Sequence, residues 1–347
     1  MTVAFVIGGT LFGSALLWVS CSRLEEATDR LARYHGIPDA VKGSVLLAVA
    51  SSMPELVTAL LASSVHQDFE LGLAAIIGSA IFNILVIPAC AVYARGGPLG
   101  ANRALVYREA QFYLISVFVL MVTLSLSVIY GGLGTQELPG GSEIYSGEFS
   151  RSLAVFPLLL YGLYLYIQLQ EVRRTPDENR LRDGINATKE GGILLVCIGL
   201  ILVGVEVLLR VAITLGEMLE TPTFLWGMTI VAAATSVPDT FVSVRASVLG
   251  RDESSLSNVF GSNVFDLLVA VPLGVIVAGS IVVNFTQIVP MMMFLILATV
   301  VMLVFMLRNM EITIRESHIM ILLYVAFGVW MTLEAFGFTR VLGVRQL

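Results

Sequence analysis

The sequence predicts an all-α polytopic membrane protein of ten transmembrane helices, built as two inverted five-helix repeats. Three observations predict it. The first is composition: 57% of the 347 residues are hydrophobic and 13% are charged, against about 25% charged in soluble domains. The second is length. Apolar runs of about 18 residues or more recur, each able to cross roughly 30 Å of hydrocarbon as a helix. The third is a pattern that occurs twice. Between Leu46 and Val86 two apolar segments carry S-S-M-P-E-L and G-S-A-I-F-N-I-L. Residues 230–248 and 259–269 return T-S-V-P-D-T and G-S-N-V-F-D-L-L. Glu55 corresponds to Asp239 at an offset of 184, and Asn83 to Asp266 at an offset of 183. Such a duplication fixes the architecture.

The spans are read at 3–20, 41–62, 70–94, 106–129 and 152–170, then 191–213, 224–247, 256–279, 284–307 and 317–337. Span one lacks the basic n-region of a signal peptide. Ser20-Cys21 faintly suggests a lipoprotein site, but a membrane helix is the better reading. Span two carries Ser51, Ser52, Pro54 and Glu55; span three carries Gly78, Ser79 and Asn83. Polar breaks fall at 21–40, 130–150 and 171–190, and the last divides five spans from five. The organisation is therefore 1–170 as first repeat (motif 43–87), 171–190 as cytoplasmic linker, and 191–347 as second repeat (motif 226–270). No separate soluble domain fits anywhere.

Several residues take a structural reading. Glu206 and Arg210 in span six form an ordinary i, i+4 pair. Glu109 and Glu334 lie near the interfaces, and Arg245 at the cytoplasmic end of span seven. Met291, Met292 and Met293 face lipid or pack, and Asn284-Phe285-Thr286 is a chance glycosylation triplet.

Orientation follows from Lys and Arg. With the N-terminus outside, 16 of the 20 basic residues fall on inner loops and span ends; Arg151, Arg210, Arg340 and Arg345 fall outside. Both termini are then outside, and the protein is expected in the cell membrane. Five spans per copy reverse the second copy, which is the plan of many secondary transporters.

A carboxylate in mid-membrane is costly and marks function by default. Glu55, Asp239 and Asp266 are three. Ser51 and Ser52 precede Glu55 by four and three residues, hence share its helix face. Thr235 and Ser236 stand in the same relation to Asp239, Ser79 precedes Asn83 by four, and Ser262 precedes Asp266 by four. Pro54 and Pro238 lack the N–H that would reach Ala50 and Ala234, which frees carbonyls beside the acids. Irregular backbone at this depth must be buried in protein or line a cavity. Hydroxyl, carboxylate, amide and carbonyl oxygens make a hard-cation site, such as Ca²⁺ uses. His35, His66 and His318 sit at loops or span ends, against a transition metal. Cys21, Cys90 and Cys197 give neither a disulfide framework nor a metal motif. Singly, Ser, Gly and Pro usually serve packing in membrane helices; doubled around an acid, they point to function. The net charge of −6 says little, and no basic tract suits nucleic acid.

These motifs resemble the two α-repeats of the calcium/cation antiporter superfamily, most closely the potassium-dependent sodium/calcium exchangers and next the plain sodium/calcium exchangers. The resemblance implies a secondary antiporter, not an enzyme, that exchanges Na⁺ for Ca²⁺ by alternating access. It implies Glu55 and Asp239 as central Ca²⁺ ligands shared with Na⁺, flanked by Asn83 and Asp266. Ser51, Ser52, Ser79, Thr235, Ser236 and Ser262, with the carbonyls of Ala48 and Ala232, would supply Na⁺ ligands. No cofactor is implied: the ions are cargo, the lipid bilayer is the other partner, and no obligate protein partner is readable. The chain departs from many prokaryotic relatives at Asp239, where Glu is common, and at Ser51, where Thr is common. Val269-Ala270-Val271-Pro272 replaces a glycine-richer run, and only the linker 171–190 stands where animal exchangers carry a large regulatory domain. K⁺-dependent exchange is the alternative, with Asp266 as the K⁺-associated acid. Ca²⁺/H⁺ antiport would show G-N-x-x-E, and an intramembrane aspartyl protease using Asp239 and Asp266 would show G-x-G-D; neither occurs. A passive channel would use a ring from identical subunits.

Overall fold

A computed structural model describes residues 2–35, 37, 42–103, 105–137, 143–174, 186–339 and 341. Most of the linker and its Arg180 and Arg182, and also Arg340 and Arg345, lie outside the described residues. Eight helices are long and apolar enough to cross a membrane, and two bent pairs bring the spans to ten. They are α1 (Thr2–His35), α2a and α2b (Val45–Ser51, Met53–Ser64), α3 (Phe69–Arg95), α4 (Leu105–Gly131) and α5 (Arg151–Gln170). The second set is α6 (Ala187–Leu219), α7a and α7b (Thr223–Thr235, Val237–Val248), α8 (Asp252–Ala278), α9 (Phe285–Asn309) and α10 (Ile314–Ala335).

The breaks fall where the sequence places proline. Pro54 and Pro238 sit in the first turns of α2b and α7b, and the halves meet at 49° and 41°. Ser52 and Ser236 hold the corners at φ −86°, ψ 9° and φ −77°, ψ −4°. Short π-helical turns precede both breaks, at Lys42–Leu47 and Gly227–Val231. A third occupies Asp266–Ala270 in α8; such bulges often mark functional sites.

The central pair is α3 and α8, 83% and 89% buried along their membrane windows, against 11–39% for α1, α4, α5, α6, α9 and α10. Each packs on the broken helix of the other repeat. A Cβ at Gly78 of α3 would lie 2.2 Å from the Met228 carbonyl oxygen of α7a. At Gly274 of α8 it would lie 3.1 Å from Ser63 Oγ and 3.3 Å from the Ala59 oxygen of α2b. In the matching place Ser247 of α7b meets the Ala91 carbonyl of α3 at 3.3 Å. These contacts obey the same sequence offset as the motifs. The other cross-repeat pair is α1 with α6, where Gly13 approaches the Gly204 carbonyl and Leu208.

Two departures from the sequence reading have physical causes. The break expected at 21–40 is helical to His35, because Arg23–Glu26 and Arg33–Asp29 pair along one helix face. Beyond the bilayer these pairs replace lipid contact. The helical layer is also trimmed with five short strands. β1 (Leu99–Gly100) pairs with β5 (Glu311–Ile312); β2 (Gly132–Glu137), β3 (Glu143–Phe149) and β4 (Ile281–Asn284) form a second antiparallel sheet. In each sheet the α3–α4 loop of one repeat, or its α8–α9 counterpart, pairs with the fourth-to-fifth-helix loop of the other. The two pairings, β1–β5 and β3–β4, are thus the same contact seen from opposite faces.

Gly78→Ala must push the α7a backbone, an overpacking cost of about 1–3 kcal/mol. Gly199 on exposed α6 has nothing within 4 Å of its missing Cβ. Thermal unfolding in detergent should show a lower Tm for Gly78→Ala, and an equal or higher Tm for Gly199→Ala.

Candidate cation site

The two corners bring the predicted residues together. Ala48, Ser51, Ser52, Glu55, Ser79, Asn83, Ala232, Thr235, Ser236, Asp239, Ser262 and Asp266 are each 1% exposed or less. At that depth every polar atom needs a partner from the protein or a ligand.

The partners form two equivalent half-sites. In one, Ser79 Oγ donates to Glu55 Oε1 at 3.1 Å. In the other, Ser262 Oγ donates to Asp239 Oδ1 at 3.0 Å. Each serine lies on the unbroken central helix beside its acid. Ser51 and Thr235 hydroxyls reach back to the Ala48 and Ala232 carbonyls, both at 3.2 Å. Each also lies against the acid of the opposite repeat: Thr235 at Glu55, Ser51 at Asp239.

The halves are bridged by hydroxyls. Ser79 meets Ser236 at 2.8 Å, and Ser51 meets Ser262 at 3.2 Å. A hydroxyl has one proton. Ser79 uses its own on Glu55, so Ser236 is the donor to Ser79. Ser262 likewise uses its own on Asp239, so it can only accept from Ser51, whose single proton is also within reach of the Ala48 carbonyl.

The halves differ where the sequence does. Asn83 Nδ2 donates to Asp239 Oδ2 at 3.1 Å and to Asn263 Oδ1 at 3.0 Å. Asn263 in turn donates to the Ala80 carbonyl at 3.2 Å. Asp266, in the equivalent place to Asn83, has no hydrogen bond on either oxygen, although the Ser52 hydroxyl lies beside it. Glu55 Oε2, Ser52 Oγ, Asn83 Oδ1 and Asn258 Oδ1 are likewise buried with no hydrogen-bond partner. All six atoms are oxygens. Among the described residues no three His, Cys, Asp or Glu gather to hold a metal by themselves. A cation here would have to complete its shell with hydroxyl, amide and carbonyl oxygens.

Two members of the network are absent from the sequence reading. Asn263 lies inside the second motif, where the first repeat has Ala80, so a difference between the copies is its signal. Asn258 donates to Ser243 Oγ at 3.2 Å and approaches Asp239 Oδ1 at 3.5 Å; nothing in its spacing announces it. The structural readings mostly hold. Arg210 Nε donates to Glu206 at 2.7 Å, and His66 joins that carboxylate at 2.9 Å. Met291 and Met292 are core, while Met293 is 54% exposed. Glu109, in the first turns of α4, is also covered by protein: it is 2% exposed, accepts from Tyr164 at 3.0 Å and Gln168 at 2.8 Å, and pairs with Arg108 at 3.2 Å. Glu334 is likewise buried and accepts from Thr339 at 2.6 Å.

Known proteins resemble this chain. The family described as "Sodium/calcium exchanger protein" matches residues 5–170 and 190–333. The chain is 26% identical to the sodium/calcium exchanger MaX1 of Methanosarcina acetivorans, covering 94% of this chain and 98% of that one. It is 25% identical to the inner membrane protein YrbG of Escherichia coli, over 76% and 77% of the two chains. Among solved structures, the sodium-calcium exchanger NCX_Mj has a similar fold, with a TM-score of 0.62 at 21% identity, covering 94% and 98%.

The network makes separable demands on stability in ion-free buffer. Asn83→Ala leaves Asp239 Oδ2 and Asn263 Oδ1 without their donor, at a cost of about 1–3 kcal/mol. Ser52→Ala removes a buried hydroxyl that lies beside Asp266 without a hydrogen bond of its own, and should cost less than Asn83→Ala. Thermal unfolding in choline buffer checks both.

Proposed function

The chain belongs to the sodium/calcium exchanger protein family, a family of transporters rather than enzymes, and on that premise we propose that it exchanges Na⁺ for Ca²⁺ by alternating access. The carrying observation is the doubled carboxylate–hydroxyl site with its unpartnered buried oxygens. Glu55 and Asp239 act as the central Ca²⁺ ligands and are shared with Na⁺. Asn83 and Asp266 flank them. Ser51, Ser52, Ser79, Thr235, Ser236 and Ser262, with the Ala48 and Ala232 carbonyls, complete the Na⁺ shells.

Exchange follows from competition for one set of oxygens. A Ca²⁺ ion takes about six to eight oxygens in flexible geometry. The same carboxylates cannot serve Na⁺ at full strength while they hold Ca²⁺. Alternating access is supported by the inverted repeat: two copies of one unit, run in opposite directions, can present the shared site to either face by trading shapes. The protein is an integral multi-pass membrane protein, with both termini placed outside the cell membrane by the basic residues.

The test is Na⁺-gradient-driven ⁴⁵Ca²⁺ flux in proteoliposomes, with a pH gradient and with K⁺ as separate arms. Glu55→Gln and Asp239→Asn should each lower Ca²⁺ flux about a hundredfold or more, since removing one charge from a buried constellation costs about 3–5 kcal/mol. Flux at wild-type rate in either variant would remove that residue from the site. Flux driven by a pH gradient alone would replace Na⁺ by H⁺ as the coupling ion.

Orientation has its own test. In a background lacking Cys21, Cys90 and Cys197, Lys189→Cys should label from the cytoplasm and Tyr145→Cys from outside. The reverse would invert the assignment of faces.

A further inference from the structure

Helix α1 carries no residue of the candidate site, yet it leans against both broken helices. Trp18 of α1 packs edge-on against Phe241 of α7b at 5.3 Å between ring centres. Three residues further along α1, Cys21 is fully buried, with Glu55, Asp239 and Cys197 among the groups that face it. Cys21 therefore lies within electrostatic reach of the two central acids. One turn beyond, about 6 Å along the axis, comes Glu25, whose charged neighbours are Asp239, Glu26 and Arg245. Glu25 thus lies past Asp239 and near Arg245, on the side toward which both helices run.

The state of Glu25 is unlike that of the other acids on this helix. Glu26 pairs with Arg23 at 3.6 Å and Arg30 at 3.9 Å, and Asp29 pairs with Arg33. Glu190, opposite on α6, pairs with Arg30 at 3.0 Å. Glu25 has no ion pair among the described residues, and its Oε1 is buried with no hydrogen-bond partner. A buried carboxylate oxygen without a donor is costly unless a cation visits it.

We propose that Glu25 is a cation waystation between the Glu55–Asp239 site and the cytoplasmic face, where an ion leaving or approaching Asp239 is held by a second carboxylate. This rests on the exchange reading above. An ion stripped of the central ligands would otherwise meet the apolar stretch of α1 that includes Leu24, which is buried. A carboxylate one turn on shortens that step. Arg245, exposed at the next level, supplies the positive field that keeps Glu25 from retaining the ion.

The experiment measures Ca²⁺ activation of Na⁺-dependent flux separately from each face, in right-side-out and inside-out vesicles. Glu25→Gln should raise KM for Ca²⁺ at the cytoplasmic face about tenfold and leave the outer face within about twofold, with maximal rate kept. Glu25→Asp should retain the wild-type KM. Arg245→Gln, which leaves Glu25 in place, should lower the cytoplasmic KM about threefold; this variant carries the test if Glu25→Gln does not fold. A KM unchanged at the cytoplasmic face, or changed equally at both faces, overturns the waystation. Wild type without Na⁺-driven Ca²⁺ flux would sink the exchange reading and this inference together, whereas wild-type exchange with an unaltered Glu25→Gln sinks this inference alone.

Discussion

The rest of the structure depends on keeping two carboxylates out of water. Glu55 and Asp239 are 1% and 0% exposed, at a depth where an unsupported charge costs several kcal/mol. Each is supported by one serine from a straight helix and one hydroxyl from across the repeat boundary. That support requires bent α2 and α7, because only a corner lets hydroxyls on one half and an acid on the other converge. It requires α3 and α8 in the centre, because they bring Ser79 and Ser262 alongside. It also requires glycine at 78, because the Met228 backbone passes too close for any side chain. Corner, central helix and close approach are three results of one electrostatic demand.

The duplicated plan meets this demand twice, and the copies then part. Asp239 is the well-satisfied acid, with Ser262, Asn83 and Asn258 around it. Glu55 keeps one oxygen unpartnered and Asp266 keeps both. Asn83 spends its amide protons on Asp239 and Asn263, so the first repeat's amide serves the second repeat's acid. The two halves therefore share a shape but not a charge distribution, which follows from a single Asn-to-Asp difference at equivalent positions.

Much of this was legible in the sequence. Ten apolar runs, one doubled motif and two prolines suffice for the spans, the repeat and the two corners, because each is a local signal. The twelve candidate residues are all buried around the two corners, with Ser51 and Thr235 meeting the acid of the opposite repeat rather than the one on their own helix. What was not legible depends on pairing between distant segments. β1 and β5 are two residues long and exist only because the two loops meet. Asn258 joins the site through a turn of α8 that no motif marks. Glu109 looks interfacial by position, but Tyr164 and Gln168 of α5 cover it. The run 21–40 looks like a loop because it is polar, whereas its charges alternate in sign at helical spacing.

The small sheets carry a mechanical consequence. β1–β5 ties the loop after α3 to the loop after α9; β3–β4 ties the loop after α4 to the loop after α8. Six spans, α3, α4, α5, α8, α9 and α10, are thus cross-braced on both faces, like a frame with struts at top and bottom. A frame of this kind resists hinging open as two rigid halves, since either face would have to break a strut. Neither strut touches α1 or α6, which are joined to each other by glycine contact and by Arg30–Glu190. That pair therefore stands outside the braced frame, tied to it by helix packing rather than by a strut.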